Sequence, residues 1–375
     1  MNNLLNDEAV AARVLEHIRQ RSTDVGDEVW REPVANYLSE ERLVRELAVL
    51  RRTATPFCPS AALPEPGSYV ARVAAGTPLL VVRDGDGVVR AFRNACRHRG
   101  TELADGAGCA KAFVCRYHGW TYRLDGRLQH IPHADGFPGV ERGAHGLTAV
   151  AAEERHGLVF VTQEPGDAET PVWQDLPELI TADQRLLSSG ANEVEVNWKI
   201  YLEGFLEGYH IRSTHPQSFY PYGYDNLTLV ERSGRNSRIT FPFRRIEKLA
   251  DVPSAERRID GLLTYVYHLF PNTFVTVLSH HTNLVVLEPL TLGRTRFVIY
   301  TLTNRGADAD AAATAQRDAA FVNDTGAAED LAIVLSIQRS ISSGANQMFT
   351  FGKFETAITH FHRNLRRALG EAASA

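Results

Sequence analysis

Residues 94–120, "NACRHRGTELADGAGCAKAFVCRYHGW", hold Cys96-x-His98 and then Cys115-x-x-His118. Two thiols and two imidazoles in one short stretch constrain the fold more than anything else in the chain, because their most economical use is a shared metal centre. Thiolates and imidazoles are borderline-soft donors suited to zinc or iron. The remaining cysteines, Cys58 and Cys109, have no His at metal spacing and read as ordinary thiols. Four cysteines in 375 residues do not make a disulfide scaffold. A reducing cytoplasm is the expected compartment.

Around that stretch the chain changes texture several times. Residues 1–50 repeat Leu and Val on one face and read as helical. The start, "MNNLLNDEAVAARVLEHIRQ", lacks a charged head followed by an apolar core, so it reads as an amphipathic helix rather than a signal peptide. "TPFCPSAALPEPGSYV" marks a boundary. From Tyr69 onward β-branched runs broken by "DGDG" signal hairpin strands, ending with "GLVFVTQ" near residue 163. "EPGDAETPVWQDLPE" reads as a linker. "EVEVNWKIYLEGFLEGYHIRSTHP" begins as a strand and becomes a helix. Alternating strands follow over 226–305, then an Ala-rich helical region from about Asp308 to Leu369 with a break near "SSGANQ". The expected organisation is a helical segment 1–50 packing on the last domain, a β-rich domain 51–165 and an α+β domain 166–375. The composition, 44% apolar and 23% charged, is that of an ordinary globular protein, and the net charge of −5 provides no basic stripe for nucleic acid. No apolar run approaches the ~18 residues of a spanning helix, so no membrane role is expected.

The Cys/His spacing alone allows a structural zinc site or a Rieske [2Fe–2S] centre, in which two Cys bind one iron and two His the other. Gly100 and Gly119 suit tight turns around a compact cluster, and both "CRHRG" and "CRYHGW" read as β-hairpin tips. No zinc-finger helix with closely spaced His is present. A second constellation lies in residues 197–216, where His210 and His215 are five apart. An ideal helix would turn them away from each other, but Pro216 ends the helix and lets His215 swing back. Two His and one carboxylate make the facial triad of non-haem Fe(II) oxygenases.

"NACRHRG…CRYHGWTYRLDG" resembles the Rieske domain of ring-hydroxylating oxygenase α subunits. The extra Cys pair of respiratory-complex Rieske proteins is absent. The resemblance continues through "NWKIYLEGFLEGYHIRSTHP" and implies that His210 and His215 bind a mononuclear Fe(II). Glu207 matches the acidic residue three before the first His, and the two are expected to share a helix face. Gly204 stands where the family often has Asn. Glu207 stands where ring dioxygenases have Asp; relatives acting on quaternary ammonium substrates can carry Glu. "AAEDLAIVLSIQRSISSG" resembles the helix supplying the third ligand, which falls on Asp330. Asp330, Val334, Ile337 and Ile341 share a face, while Glu329 is turned about 100° away and is expected to face solvent. "FGKFETAITHFHRNLRRAL" resembles the closing helix, with His360 and His362 structural.

The resemblance implies an α+β protein: a β-rich Rieske domain and a helix-grip catalytic domain with a central antiparallel sheet. It implies a terminal oxygenase using O2 and electrons from NAD(P)H, delivered by a separate reductase, directly or through a ferredoxin. A small organic substrate would be hydroxylated or oxidatively demethylated; aromatic cis-dihydroxylation is the alternative. A Rieske electron carrier without catalysis is the rival class. A homotrimer is implied, with Glu207 bridging a Rieske histidine of one subunit to His210 of its neighbour. Tyr220, Tyr222 and Tyr224, spaced to share one strand face, and His280 are candidate pocket residues.

Overall fold

The computed structural model describes residues 4–166, 172–174, 176–304 and 309–371. The chain divides into two compact units: Leu50–Glu169 with Glu178–Ala182, and Met1–Val49 with Thr170–Pro177 and Asp183–Ala375. The linker expected over 164–178 includes 167–171 and 175, which lie outside the described residues. Among the described residues no helix is long and apolar enough to cross a membrane.

The unit holding the Cys/His stretch is built on antiparallel strands. Its seven-stranded sheet runs Thr55–Pro59, Leu158–Thr162, Ala149–Arg155, Val89–Arg93, Thr77–Arg83, Ser68–Ala74, Gly106–Cys109. The "DGDG" turn closes the hairpin between Thr77–Arg83 and Val89–Arg93, with the Asp84 side chain accepting from the Asp86 and Val88 amides, both at 2.9 Å. A small sheet of Phe113–Val114, Thr121–Tyr122 and Leu128–His130 carries the second Cys/His pair. "CRYHGW" is a hairpin tip, but "CRHRG" is not. The strands flanking "CRHRG", Val89–Arg93 and Gly106–Cys109, pair with different neighbours, so it is a connection between non-adjacent strands.

The other unit is organised by a seven-stranded antiparallel sheet in the order Leu186–Val194, Arg294–Thr303, His281–Thr291, Thr273–Val277, Leu263–Leu269, Asn236–Pro242, Leu229–Ser233. Helix Thr356–Ala368 packs on Asn236–Pro242 and Leu229–Ser233, burying Ala357, Ile358, Phe361 and Leu365, an i, i+1, i+4, i+8 stripe. Helix Asp7–Gln20 begins at Asn6, whose side chain accepts from the Ala9 amide. It buries Val10, Ala11 and Val14 among Leu229, Ile246 and Leu263. The first fifty residues are not helical throughout. Trp30–Pro33 is a strand pairing antiparallel with Met348–Phe351. The "SSGANQ" break leads into that partner strand. Four residues with a partner more than three hundred positions away carry no local signal of pairing.

The "NWK…YHIRSTHP" region is also less regular than expected. Helix Trp198–Gly204 stops, and a short turn Ile211–Thr214 follows. Glu207 therefore lies in the loop between them and shares no helix face with His210. Asn197 caps the first helix through the Lys199 amide at 3.0 Å. Lys199 is fully buried, and its ammonium pairs with Glu46 at 2.6 Å, so the polar residues of "NWK" serve the packing of this helix.

Candidate metal centres and the adjoining cavity

The two Cys/His loops share one backbone frame. Cys96 N donates to Thr101 O and Gly100 N to Cys96 O; Cys115 N donates to Trp120 O and Gly119 N to Cys115 O, all at 2.8 Å. Gly100 and Gly119 each sit in the left-handed region, with φ of 79° and 76°. Cys96 and Cys115 are buried, His98 is half-buried and His118 is exposed. The His98 and His118 rings lie 4.7 Å apart, and His98 stacks on Trp120 at 5.1 Å. Tyr122 Oη lies 3.3 Å from the Cys96 sulfur. Burial works against ionising either thiol and pushes Cys96 up. At Cys115 hydrogen bonds from the Tyr117 amide, the Cys96 side chain and the His118 amide together outweigh burial and hold the thiol below its usual range.

Among the described residues, the ligand groups whose donor atoms lie within 4.8 Å of one another are only His210, His215 and Asp330. No three of Cys96, His98, Cys115 and His118 thus converge on one point. A tetrahedral zinc site, with bonds of about 2.0–2.3 Å, needs that convergence. A two-iron cluster, with buried sulfurs at one end and surface imidazoles at the other, does not. The residues fit a [2Fe–2S] centre.

At the second constellation, Asp330 Oδ1 lies 2.8 Å from His215 Nε2 and 3.5 Å from His210 Nε2. The opposite ring nitrogens are held by other acids. His210 Nδ1 meets Glu207 Oε1, and His215 Nδ1 meets Glu329 Oε2 at 2.7 Å. Each histidine thus presents Nε2 to Asp330 and spends Nδ1 on a second carboxylate, the arrangement that orients imidazole ligands of a metal. His215 Nε2 is buried and aimed at Asp330, so a metal held by both would sit between them. Burial disfavours the charged form of both rings. Glu207 at His210 and Asp330 at His215 more than offset it, and both pKa values rise. A bound cation would instead select the neutral rings. The donor set fits iron(II).

Glu329 is a correction to the sequence reading. It does not simply face solvent: its carboxylate also accepts from Ser218 Oγ. Helix Gly326–Ser340 starts at Gly326, so Glu329 and Asp330 both lie in its first turns beside His215. The longer Glu arm reaches the far side of the ring. Glu207 fastens its loop as well as the ring, its second oxygen accepting from the backbone amides of Tyr209 and His210.

A cavity of about 580 Å³ opens from these residues and is lined by Glu207, His210, His215 and Asp330 together with mostly apolar and aromatic side chains. Tyr222 and Tyr224 line it, but Tyr220 does not. The three form no strand face, because Pro221 and Gly223 set the segment in turns, and Tyr220 instead faces Arg212 and Arg244. His280 is exposed and outside the lining; the next residue, His281, is the inward one, fully buried and 2.9 Å from Asp318. Phe219, Asp318, Phe321 and the pair Arg244–Arg245 are lining residues that periodicity did not single out. His362 is buried and bonded to Glu203 at 2.9 Å, a structural role; burial also pushes the His360 imidazole down to about 4.

Residues 180–371, just over half of the chain, match the family model "Ring hydroxylating alpha subunit (catalytic domain)", and residues 53–142 match "Rieske [2Fe-2S] domain". The carnitine monooxygenase oxygenase subunit of Acinetobacter pittii is 29% identical over 234 residues, covering 57% of this chain and 62% of that protein. The chain thus spans about three fifths of the length of that curated relative. Chloroplastic choline monooxygenase of Spinacia oleracea is 27% identical over 327 residues, covering 81% and 70%. The crystal structure of the quaternary ammonium Rieske monooxygenase CntA with an inhibitor superposes with a TM-score of 0.77 at 22% identity, covering 98% of this chain and 99% of that one.

Proposed function

Because the chain belongs to the ring-hydroxylating α-subunit family of Rieske proteins, we propose that it is a terminal oxygenase whose substrate is a quaternary ammonium compound. The observation that carries the reading is the convergence of His210, His215 and Asp330 on the wall of a large, mainly apolar cavity. An electron carrier has no use for an open three-ligand site beside such a cavity, which disfavours the rival class. The resemblance of the chain to carnitine and choline monooxygenases supports the substrate class.

In this reading the domain boundaries are 51–165 for the Rieske domain and 166–375 for the catalytic domain, with 1–50 packing on the latter. Cys96 and Cys115 would hold one iron of the cluster, and His98 and His118 the other. His210, His215 and Asp330 would hold iron(II). The two groups supply single electrons and O2 activation. The protein's own side chains do the rest. Glu207 and Glu329 fix the ring orientation of His210 and His215, and the aromatic lining excludes water from the substrate. Glu207 also serves as the polar link toward a neighbouring subunit's His118 in a trimer. A separate reductase, with or without a ferredoxin, delivers the electrons in the cytoplasm. The net reaction takes R–H, O2, two electrons and two protons to R–OH and water.

The test is turnover of the iron-replete protein with a reductase, NADH and labelled O2 over a panel of choline, glycine betaine, L-carnitine and simple arenes. One labelled oxygen in the organic product of a quaternary ammonium compound is expected. A cis-diol carrying two labelled oxygens from an arene would replace this reading with ring dioxygenation. Iron at two per chain, with no oxidation of any substrate, would return the carrier reading.

A further inference from the structure

We propose that Arg244 and Arg245 form a carboxylate-binding subsite of the cavity, so that the substrate is a betaine: an organic cation that also carries a carboxylate. The inference rests on the oxygenase reading above and narrows its substrate. Both arginines line the cavity. Their backbone is fixed: Phe243 N donates to Leu262 O at 2.9 Å and Arg244 N to Tyr222 O at 2.7 Å. They stand at the head of the turn Arg244–Leu249, exposed at the rim of the cavity.

The groups that the two guanidiniums meet are neutral. Arg244 lies over the Tyr220 and Tyr224 rings, 5.3 and 5.2 Å from their centres, and touches Tyr220 O at 3.4 Å. Arg245 lies over Phe243 at 4.8 Å and donates to Ser279 Oγ at 3.0 Å. Among the described residues no carboxylate forms an ion pair with either. The acids nearby are committed elsewhere. Glu247 accepts from Tyr224 Oη at 2.5 Å, Asp318 is taken by His281 at 2.9 Å, and Glu207 and Asp330 belong to the histidine pair. Two adjacent guanidiniums without a counter-ion, on the edge of an apolar cavity, create a positive field there. Their planar forks match a carboxylate. An uncharged arene would leave both unused, and a cation alone would be repelled. A betaine satisfies both ends, with its carboxylate on the arginines and its ammonium head against aromatic faces such as Phe219 and Tyr222.

Glycine betaine and choline share the trimethylammonium head and differ in carboxylate against hydroxymethyl, so they isolate the term. Calorimetric titration of the iron-replete oxidised protein, without reductant, should show glycine betaine, γ-butyrobetaine or L-carnitine binding at least about tenfold tighter than choline. Arg245→Met and Arg244→Met should each weaken that carboxylate ligand about tenfold more than they weaken choline. Arg245→Lys should recover part of the loss, and added salt should act chiefly on the carboxylate ligand. Choline binding as tightly as every carboxylate ligand, equal losses for both in the variants, or no binding by any of the panel would overturn the subsite. Binding and turnover fail separately. Arginine-dependent binding without oxidation would leave the subsite and remove the oxygenase reading; oxidation of choline with no arginine dependence would do the reverse.

Discussion

Replacing Glu329 should loosen the mononuclear metal without removing it. The Glu329 carboxylate holds His215 Nδ1 at 2.7 Å and so faces His215 Nε2 toward Asp330. Losing a carboxylate that orients a ligand imidazole typically costs 10–100-fold in metal affinity. The side chain of Glu329 is 36% exposed, so water can take its place on Nδ1 and the lower end applies. Glu329→Ala is expected to raise the metal Kd about tenfold, or about 1.4 kcal/mol. Glu329→Gln, which keeps an acceptor oxygen for the ring N–H, should lose less. Asp330→Ala removes a donor atom and should abolish binding at this site. The assay is anaerobic titration of the chain, its mononuclear site stripped, with Co(II), whose visible absorption reports ligand geometry while the cluster absorption serves as internal control. Unchanged affinity in Glu329→Ala would refute the orienting role. A loss as complete as that of Asp330→Ala would make Glu329 a ligand in its own right.

Glu207→Gln should leave both metal sites filled yet slow cluster reoxidation in the presence of substrate and O2, read by rapid mixing; an unchanged rate removes Glu207 from the electron route. A Cβ on Gly326 would overlap the Phe219 ring, which lines the cavity 4.7 Å from His215. Gly326→Ala should therefore push the ring into the cavity at a cost of about 1–3 kcal/mol, lowering ligand affinity with iron content retained. Equal affinity and equal melting temperature would contradict this. Burial holds His268 neutral by lowering its pKa from 6.5 to about 4. Its contribution to stability is then full above pH 6.5 and is lost as pH falls toward 4. Between pH 7 and 5 that amounts to about 2 kcal/mol. His268→Gln should flatten the acid limb of the melting profile by a comparable amount, and a parallel profile would show that His268 is not what titrates.

What the sequence revealed about the fold divides by range. The tight turns of the cluster loops were legible because each is self-contained, a Cys, a Gly four residues later, and hydrogen bonds that close within six residues, whereas the strands flanking "CRHRG" pair with different neighbours and were not. The hairpin at "DGDG" was legible for the same reason. Trp30–Pro33 was not, because its partner strand is Met348–Phe351 and nothing local distinguishes it from a helix connection. The tyrosines at 220, 222 and 224 misled by spacing alone. Period two implies a shared face only where a strand forms, and Pro221 and Gly223 deny it a ladder. His280 misled for a related reason: the strand begins only at His281, so His280 sits in the bend before it and is exposed, while His281 is buried.

The Glu329–Asp330 pair shows why the site was harder to read than its histidines. Helical periodicity says that neighbouring residues diverge by about 100°, and from this Glu329 was expected in solvent. That argument treats the target as a point. An imidazole has nitrogens on two edges, and a buried candidate ligand ring such as His215 has a partner on each: Asp330 at Nε2 and Glu329 at Nδ1. A ring lying between two adjacent helix positions can be met on both edges by diverging side chains, and Glu has an extra methylene with which to reach the farther edge. His210 meets the same requirement differently, with Glu207 in a loop behind it and Asp330 in front. The two histidines thus demand three acids, of which only one is a ligand candidate. Where two candidate ligand histidines stand together, one half-buried and one buried, the acids at the site outnumber the candidate carboxylate ligands, and the surplus is found by asking what holds each ring's other nitrogen.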